Sequence, residues 1–521
     1  MTIGPDIPAD GGSRSPQKAR HLLQSPQVLL AGACLFLHAI ANGHYGIFRD
    51  ELYYIVCGER PDWGYVDHPA IVPLLAARSH ALFGHCLWGF RLLPALVMTA
   101  TVVATTAFTR LLGGNRMAQW LSGLCVLLAP IFLLQGVLFV SDLFQPLTWL
   151  GLSWVLVRLE QTQDERWWLA FGAIAGFSLN TKYLIAFYLV GLAAALMFTP
   201  RRKSLSHPWI YAGVLLALLM VLPNVLWQKV HGWPFLEFSQ AATSSKNLAL
   251  SPPAFFVQQL IFTGPAITAV WICGLWECLA RSRQLILAPV FAVAWLILFL
   301  AFDLSHGKPY YLTAIYPTLI ALGAVRIEHW LRRPLVRSGA LAAVIVTGAV
   351  TMPFGLPILP ADVFVHYESV IGLVPSVGER APSSELPQYY ADMFGWSELT
   401  DKLAAIYNAL PAPDRTRAVF FGSNYGEAAA IDVLGRDKGL PPAISGHNSY
   451  YLWGPRGADG SVVITVGGNE ERYRELFRSV EIVGQTASKY AMPFESGQPI
   501  YVLRGMKTPL GDFWPQVKRY N

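Results

Sequence analysis

Between Val28 and Leu356 the chain runs as long apolar stretches, nearly free of charge, separated by short polar turns. From about Pro360 onward the pattern becomes that of an ordinary water-soluble chain. A helix needs about 20 apolar residues to cross roughly 30 Å of hydrocarbon. On that measure the pattern predicts about eleven spans, at about 28–47, 89–110, 117–136, 138–157, 166–181, 183–199, 208–227, 256–279, 285–303, 310–326 and 338–357. Pro69–Gly84 is apolar but short, and it carries Arg78 and His80, so it reads as an interfacial helix. Around Asn180-Thr-Lys182 the alternative to two short spans is one long buried helix. Beyond Pro360, Arg417–Phe421, Ser461–Val466 and Pro499–Leu503 are strand-like and Glu470–Val480 reads as an intervening helix, which predicts a small α/β unit. The expected organisation is an N-terminal tail (1–27), a membrane domain (28–358) with an external loop (48–88), and a soluble C-terminal α/β domain (359–521).

Of the 521 residues, 54% are hydrophobic and 14% charged, where a soluble protein carries about 25% charged. The chain is therefore expected to be a polytopic α-helical membrane protein. Its net charge of +6 is dispersed, with no compact basic run to hold nucleic acid. With Pro69–Gly84 kept out of the membrane, one side collects Arg110/Arg116, Arg158/Arg166, Arg201-Arg202-Lys203, Arg281/Arg283 and Arg326/Arg332/Arg333/Arg337. The same side holds the basic N-terminus (Arg14, Lys18, Arg20). Basic loops stay in the cytoplasm, so the tail beyond Pro360 is expected outside, and the first span reads as an uncleaved signal anchor. The six cysteines form no metal-ligand pattern; Cys57 and Cys86 both face the external side, where a bridge is open to them.

This topology gathers the unusual polar residues on the external face: Asp50, Glu51, Asp67, His68, Asp142, Lys182, the 228–253 loop and Ser305–Lys308. Charge beside a span is costly unless it serves water, a partner or a substrate. Asp50 is the candidate general base, able to take the proton of an acceptor hydroxyl as a new bond forms. Asp142 and Glu51 are the other candidate catalytic carboxylates, and Asp67 can orient a substrate. The blander reading is that Asp50 and Glu51 merely cap a short helix. Lys182 and Lys308, the latter followed by Tyr310 and Tyr311, offer positive charge to an anionic headgroup, whereas Arg91 reads as snorkelling to the interface. No cofactor is called for. A divalent metal on Asp50, Glu51, Asp67 and His68 is the alternative, although their spacing matches no metal motif. The aromatic loops Asn424–Glu427 and Ser445–Tyr451 either line a sugar site or simply pack.

RDELYY (49–54), WGYVDHPA (63–70), FVSD (139–142) and GKPYYLTAIYP (307–317) together resemble the bacterial branch of glycosyltransferase family 39. That family includes lipid A aminoarabinose transferases and protein O-mannosyltransferases. The tail strings NYGEAAAIDVLG and LPPAISGHNSYYLWGP are similar to those of its shorter members. The resemblance implies a GT-C membrane fold and inverting transfer of a sugar from a polyprenyl-phosphate donor. The acceptor would be an envelope glycolipid, glycan or protein, at the external face of the bacterial cytoplasmic membrane. It implies that Asp50 is the catalytic aspartate, that Asp142 is the second external one, and that Asp67-His68-Pro69 corresponds to an acidic-basic-proline turn. In the family the middle residue of that turn is usually Lys and contacts the lipid phosphate; His68 would make such a contact pH-sensitive. A glycolipid transporter is the competing reading, but it should show repeated halves and mid-membrane polar residues, and neither is evident. A non-catalytic scaffold leaves the acidic motifs unexplained.

Overall fold

The computed structural model describes residues 25–280, 287–372, 379, 380, 382 and 384–521. The basic N-terminal residues and the Arg281/Arg283 cluster lie outside the described residues, as does the side chain of Arg201. The membrane part is all helical. Among the described residues, Leu92–Leu111, Pro208–Val230, Pro309–Trp330 and Pro334–Phe354 are each long and apolar enough to cross a membrane. Two expected single spans are instead bent. Arg116–Leu128 and Pro130–Val137 meet at 60°, and Pro252–Thr263 and Pro265–Ala280 at 114°. Pro130 and Pro265 each start the second helix of a pair, as proline's missing N–H and fixed φ favour. Counting each bent pair once gives up to six crossings by length and composition. The remaining expected spans are helices of 13 to 18 residues, and 13 residues rise only about 20 Å. The helix Ile71–Phe83 is equally short.

Close helix crossings are made with glycine, as expected where lipid supplies no hydrophobic drive to bring helices together. A Cβ on Gly172 would lie 2.0 Å from the Gly213 carbonyl oxygen, and one on Gly274 would lie 1.9 Å from that of Leu319. Pro309–Trp330 is largely buried at the centre, whereas Pro208–Val230 and Pro334–Phe354 expose most of their apolar surface.

The backbone breaks matter most for function. The region around Asn180–Leu184 is not one long helix: Trp167–Leu179 and Ile185–Met197 are separate, and Lys182 sits in the gap. Asp142 lies in a 3₁₀ turn, Ser141–Phe144, between two helices. Lys308 ends the loop after Ala288–Leu304. Irregular backbone within a membrane protein is tolerated where it lines a cavity.

The C-terminal part carries a four-stranded sheet in the order β1-β2-β4-β3, with β1 Ala418–Phe421, β2 Val462–Val466, β3 Phe477–Gln485 and β4 Pro499–Met506. β1 pairs parallel to β2, and the other neighbours are antiparallel. The expected helix over Glu470–Val480 stops at Leu476, and the chain continues as β3. Val480, Ile482 and Val483 favour a strand, and the long partner β4 supplies the ladder, pairing Val480 with Leu503 and Ile482 with Tyr501. One sheet face, through Phe420, Ile464 and Val502, belongs to the same apolar core as Leu52, Ile55 and Phe139. The C-terminal part is thus packed onto the Arg49–Glu59 helix, through the helix Tyr425–Val433, rather than tethered beside it. Cys57 and Cys86 are free thiols, so the bridge left open above is not formed.

That helix is fixed by one buried ion pair. Glu51 and Arg91 have fully buried side chains. Arg91 donates from Nε to Glu51 Oε1 at 3.0 Å and from Nη2 to Oε2 at 2.8 Å. Glu51 also accepts from the backbone N–H groups of Phe48 (2.9 Å) and Phe139 (3.0 Å). Arg91 does not snorkel; its remaining donors reach the carbonyls of Asn42 and Gly46. Removing one partner of a buried pair strands the other's charge at a cost of about 3–5 kcal/mol. Arg91→Met should therefore lower stability by about that amount in detergent unfolding. The double variant Glu51→Gln/Arg91→Met should recover part of the loss.

Candidate active site

A cavity of about 560 Å³ lies where the three helix breaks, the first external loop and the C-terminal part converge. Asp50, Asp67, Asp142, Lys182, Lys308, Tyr310 and Tyr311 all line it. The structure thus brings together seven of the nine residues singled out in the sequence.

The two exceptions are Glu51 and His68. Glu51 does not line the cavity and is saturated by Arg91 and two backbone donors. Adjacent helical positions point in different directions, so Asp50 faces the cavity and Glu51 the core. His68 is buried among the rings of Tyr53, Tyr54 and Tyr65. Its Nδ1 lies 3.1 Å from the Pro69 carbonyl oxygen and its Nε2 3.7 Å from Asp67. Burial pushes its pKa below the ordinary value despite that aspartate, so the ring is neutral near pH 7. It packs against the Asp67 turn and does not line the cavity. Among the described residues no three His, Cys, Asp or Glu side chains group as a metal site, and Glu51's commitment to Arg91 takes away one of the four candidate ligands.

Asp50 sits in the first turn of Arg49–Glu59, where a helix N-terminus favours negative charge. Its Oδ1 accepts from the Tyr425 hydroxyl at 2.8 Å and lies 3.7 Å from Arg49 Nε. Asp67 Oδ1 accepts from the Tyr53 hydroxyl at 3.0 Å. Burial pushes the Asp67 carboxyl up, against the opposing pull of His68 and Tyr53. Asp142 pairs with Lys182 at 2.5 Å, and the Lys182 ammonium also lies over the Tyr311 ring, 4.6 Å from its centroid. The aromatic pair after Lys308 thus serves Lys182 directly.

Lys308 pairs with Glu379, whose same oxygen is 3.7 Å from Lys246 Nζ. Gln388 donates to the other oxygen at 3.0 Å. Burial works against the Lys308 charge, but Glu379 outweighs it and holds the ammonium above the ordinary lysine value. Burial also opposes the Glu379 charge; Lys308, Lys246 and Arg49 overcome it and hold the carboxyl far below its ordinary range. One carboxylate therefore faces two lysines at this corner, and burial pulls the Lys246 ammonium below its ordinary value although Glu379 pulls the other way. Most of the cavity's remaining lining is apolar, with Ile131, Leu134, Phe187, Phe235 and Phe302 among it.

Arg49, Lys246, Glu379, Asp392 and Tyr425 were not assigned from sequence. Arg49 stood inside the first motif, Lys246 inside the 228–253 loop and Tyr425 inside a named aromatic loop. Glu379 and Asp392 carried no signal, because only the fold brings them to Lys308 and Arg49. Tyr425 and Asn448 line the cavity, so both aromatic loops contribute to the site.

The family model for dolichyl-phosphate-mannose-protein mannosyltransferases matches residues 67–227, which include Asp67, Asp142 and Lys182. The resemblance read from the motifs is borne out. The chain is 24% identical over 246 residues, 41% of its length and 46% of the relative's, to a polyprenol-phosphate-mannose–protein mannosyltransferase of Corynebacterium glutamicum. It is 28% identical over 286 residues, 51% of its length and 50% of the relative's, to an undecaprenyl phosphate-α-4-amino-4-deoxy-L-arabinose arabinosyl transferase of Pseudomonas fluorescens. Its alignments thus span about half the length of these curated relatives. The fold matches ArnT from Cupriavidus metallidurans bound to undecaprenyl phosphate, with TM-score 0.60, 15% identity, and coverage of 92% of this chain and 99% of that one. The chain has a GT-C fold.

Asp392, paired with Arg49 at 3.3 Å, gives the site a pH signature. Burial pushes its carboxyl up to about 6, although Arg49 pulls the other way. The folded state then keeps a proton that the unfolded chain releases near the ordinary value of about 4. Stability from this group is full below about 4 and lost as pH rises towards about 6. Unfolding measured across that window should show the gap between Asp392→Asn and wild type shifting in the variant's favour as pH rises, then levelling off.

Proposed function

We propose that this chain is an inverting glycosyltransferase that moves a sugar from a polyprenyl-phosphate donor to a hydroxyl of an envelope glycolipid, glycan or protein. The observation that carries this reading is one apolar-walled cavity that holds Asp50 together with Lys182, Lys246 and Lys308. The sugar donors named for its relatives, and the undecaprenyl phosphate bound by its structural neighbour, support the same chemistry.

The roles follow from charge. Asp50 takes the proton of the acceptor hydroxyl as its oxygen bonds to the anomeric carbon. The bond from that carbon to the phosphate oxygen breaks on the opposite face, which inverts the centre. The leaving lipid phosphate gathers negative charge, and Lys308 and Lys246 stabilise it. Glu379 holds that place between the ammoniums until a phosphate competes for it. Lys182, held by Asp142 and the Tyr311 ring, lends further positive potential, and Asp67 orients the sugar or acceptor.

We place this site, together with the C-terminal sheet, at the external face of the cytoplasmic membrane. The basic loops support that orientation. The contact between Tyr425 and Asp50 requires the C-terminal part and the first loop to share one side.

The test is a deletion strain complemented with wild type or Asp50→Asn, its envelope glycans and glycoproteins read by mass spectrometry. Wild type should restore a sugar whose mass names donor and acceptor class together. Asp50→Asn, made and inserted normally, should transfer about 10²–10⁴-fold more slowly. Transfer near the wild-type rate would remove Asp50 as the base.

A further inference from the structure

Asp50 has two oxygens, and the fold spends one of them. Its Oδ1 receives the Tyr425 hydroxyl at 2.8 Å, from a residue 375 positions later in the chain. Nothing about that arrangement is loose. Tyr425 is buried, at 7% exposure. Its ring lies 4.7 Å from that of Tyr53 and 4.8 Å from that of His447, with the Arg49 guanidinium 5.4 Å from its centroid. Its backbone N–H donates to His447 Nδ1 at 3.3 Å. It opens the helix Tyr425–Val433, whose N-cap Asn424 accepts from the N–H groups of Gly426 (2.8 Å) and Glu427 (3.0 Å). Asn424 is tied in turn to Glu495 at 2.8 Å. The next residue has to be glycine for this approach, since a Cβ on Gly426 would fall 2.6 Å from Arg49 Cγ.

We propose that Tyr425 is a positioning residue for Asp50: its hydroxyl fixes Oδ1 and turns Oδ2 towards the acceptor hydroxyl, which makes the C-terminal part of the chain a component of the active site. This rests on the reading of Asp50 as the base. A carboxylate free to rotate would present either oxygen in a range of directions, and general-base efficiency depends on alignment with the proton it takes. The phenol is suited to permanent donation. Burial, with Asp50 nearby, holds its pKa well above the ordinary tyrosine value, so it keeps its proton throughout the working range.

The test uses the full-length chain with Tyr425→Phe, which keeps the ring and its packing and removes only the hydroxyl. Three quantities are measured. The first is the rate at which the mass-shifted envelope glycan appears after induction in the deletion strain, normalised to folded protein. The second is affinity of the purified protein for undecaprenyl phosphate, and the third is its melting temperature. Loss of a hydrogen bond to a charged group should slow transfer about tenfold. Lipid-phosphate affinity should stay within about twofold, because the donor's phosphate is held elsewhere in the cavity. The melting temperature should stay near wild type. In an Asp50→Asn background the same change should add nothing, because the carboxylate it orients is gone. Wild-type transfer by Tyr425→Phe, while Asp50→Asn is slow, overturns the positioning role and leaves the base reading standing. Slow transfer matched by weaker folding or weaker lipid-phosphate binding overturns it too, as the mark of a merely structural or donor-binding residue. Wild-type transfer by Asp50→Asn overturns the base reading itself, and the positioning role with it.

Discussion

A single buried carboxylate, Glu51, takes hydrogen bonds from three separate segments: Arg91 at the head of the Leu92–Leu111 helix, Phe48 before its own helix, and Phe139 three residues ahead of Asp142. Arg91 extends the same knot to Asn42 and Gly46, at the end of the first apolar helix. A charge pair this deep is stable only when nearly every donor and acceptor is spent, and here the spending doubles as alignment. The knot fixes the azimuth of the Arg49–Glu59 helix, and with it the direction of Asp50. It also sets where the chain re-enters at Phe139, and so the depth of Asp142. The carboxylate turned away from the cavity positions the two that face it.

The same economy governs the cations. Lys182, Lys308 and Asp142 each sit where a helix is interrupted, and each interruption faces the cavity. A continuous helix would satisfy its backbone but would aim these side chains at neighbouring helices. Broken backbone is affordable only beside polar space, so the breaks and the cavity require one another. The charges are then nearly balanced in pairs, Lys182 with Asp142 and Arg49 with Asp392. Glu379 is shared by two cations, Lys308 and Lys246, whereas Arg49 is shared by two carboxylates, Asp392 and Asp50.

Much of this was legible in the sequence because ionisable residues in an apolar chain stand out. Asp50, Asp67, Asp142, Lys182 and Lys308 were visible as charges at the ends of apolar stretches, and the structure draws all five to one cavity. Glu51 was equally visible and was misread, since adjacency in sequence conceals the helical rotation that separates it from Asp50. His68 and Arg91 were misplaced for a related reason: a polar residue between apolar segments was assumed to face water, and the fold buried both with partners supplied from elsewhere. Glu379 and Asp392 could not be read, because their partners are 71 and 343 residues away in sequence. In the C-terminal part, charged Glu470–Glu475 runs into Phe477 without a turn signal, so the sequence alone extends the helix into β3; only the ladder offered by β4 decides it. Of the eleven expected spans, five are helices of only 13 to 18 residues, and two more bend at Ala129 and Gly264, which changes direction without changing composition.

In the proposed reaction this cavity receives a lipid-linked phosphate between Lys308 and Lys246, with Asp50 facing the sugar. A structure of the full chain with undecaprenyl phosphate addresses it most directly. The phosphate is expected between Lys308 and Lys246, with Glu379 moved out of its pairing, the lipid tail along the apolar wall, and Asp50 still held by Tyr425 beside the open space. A phosphate bound away from these lysines, with the Lys308–Glu379 pair intact, would contradict it.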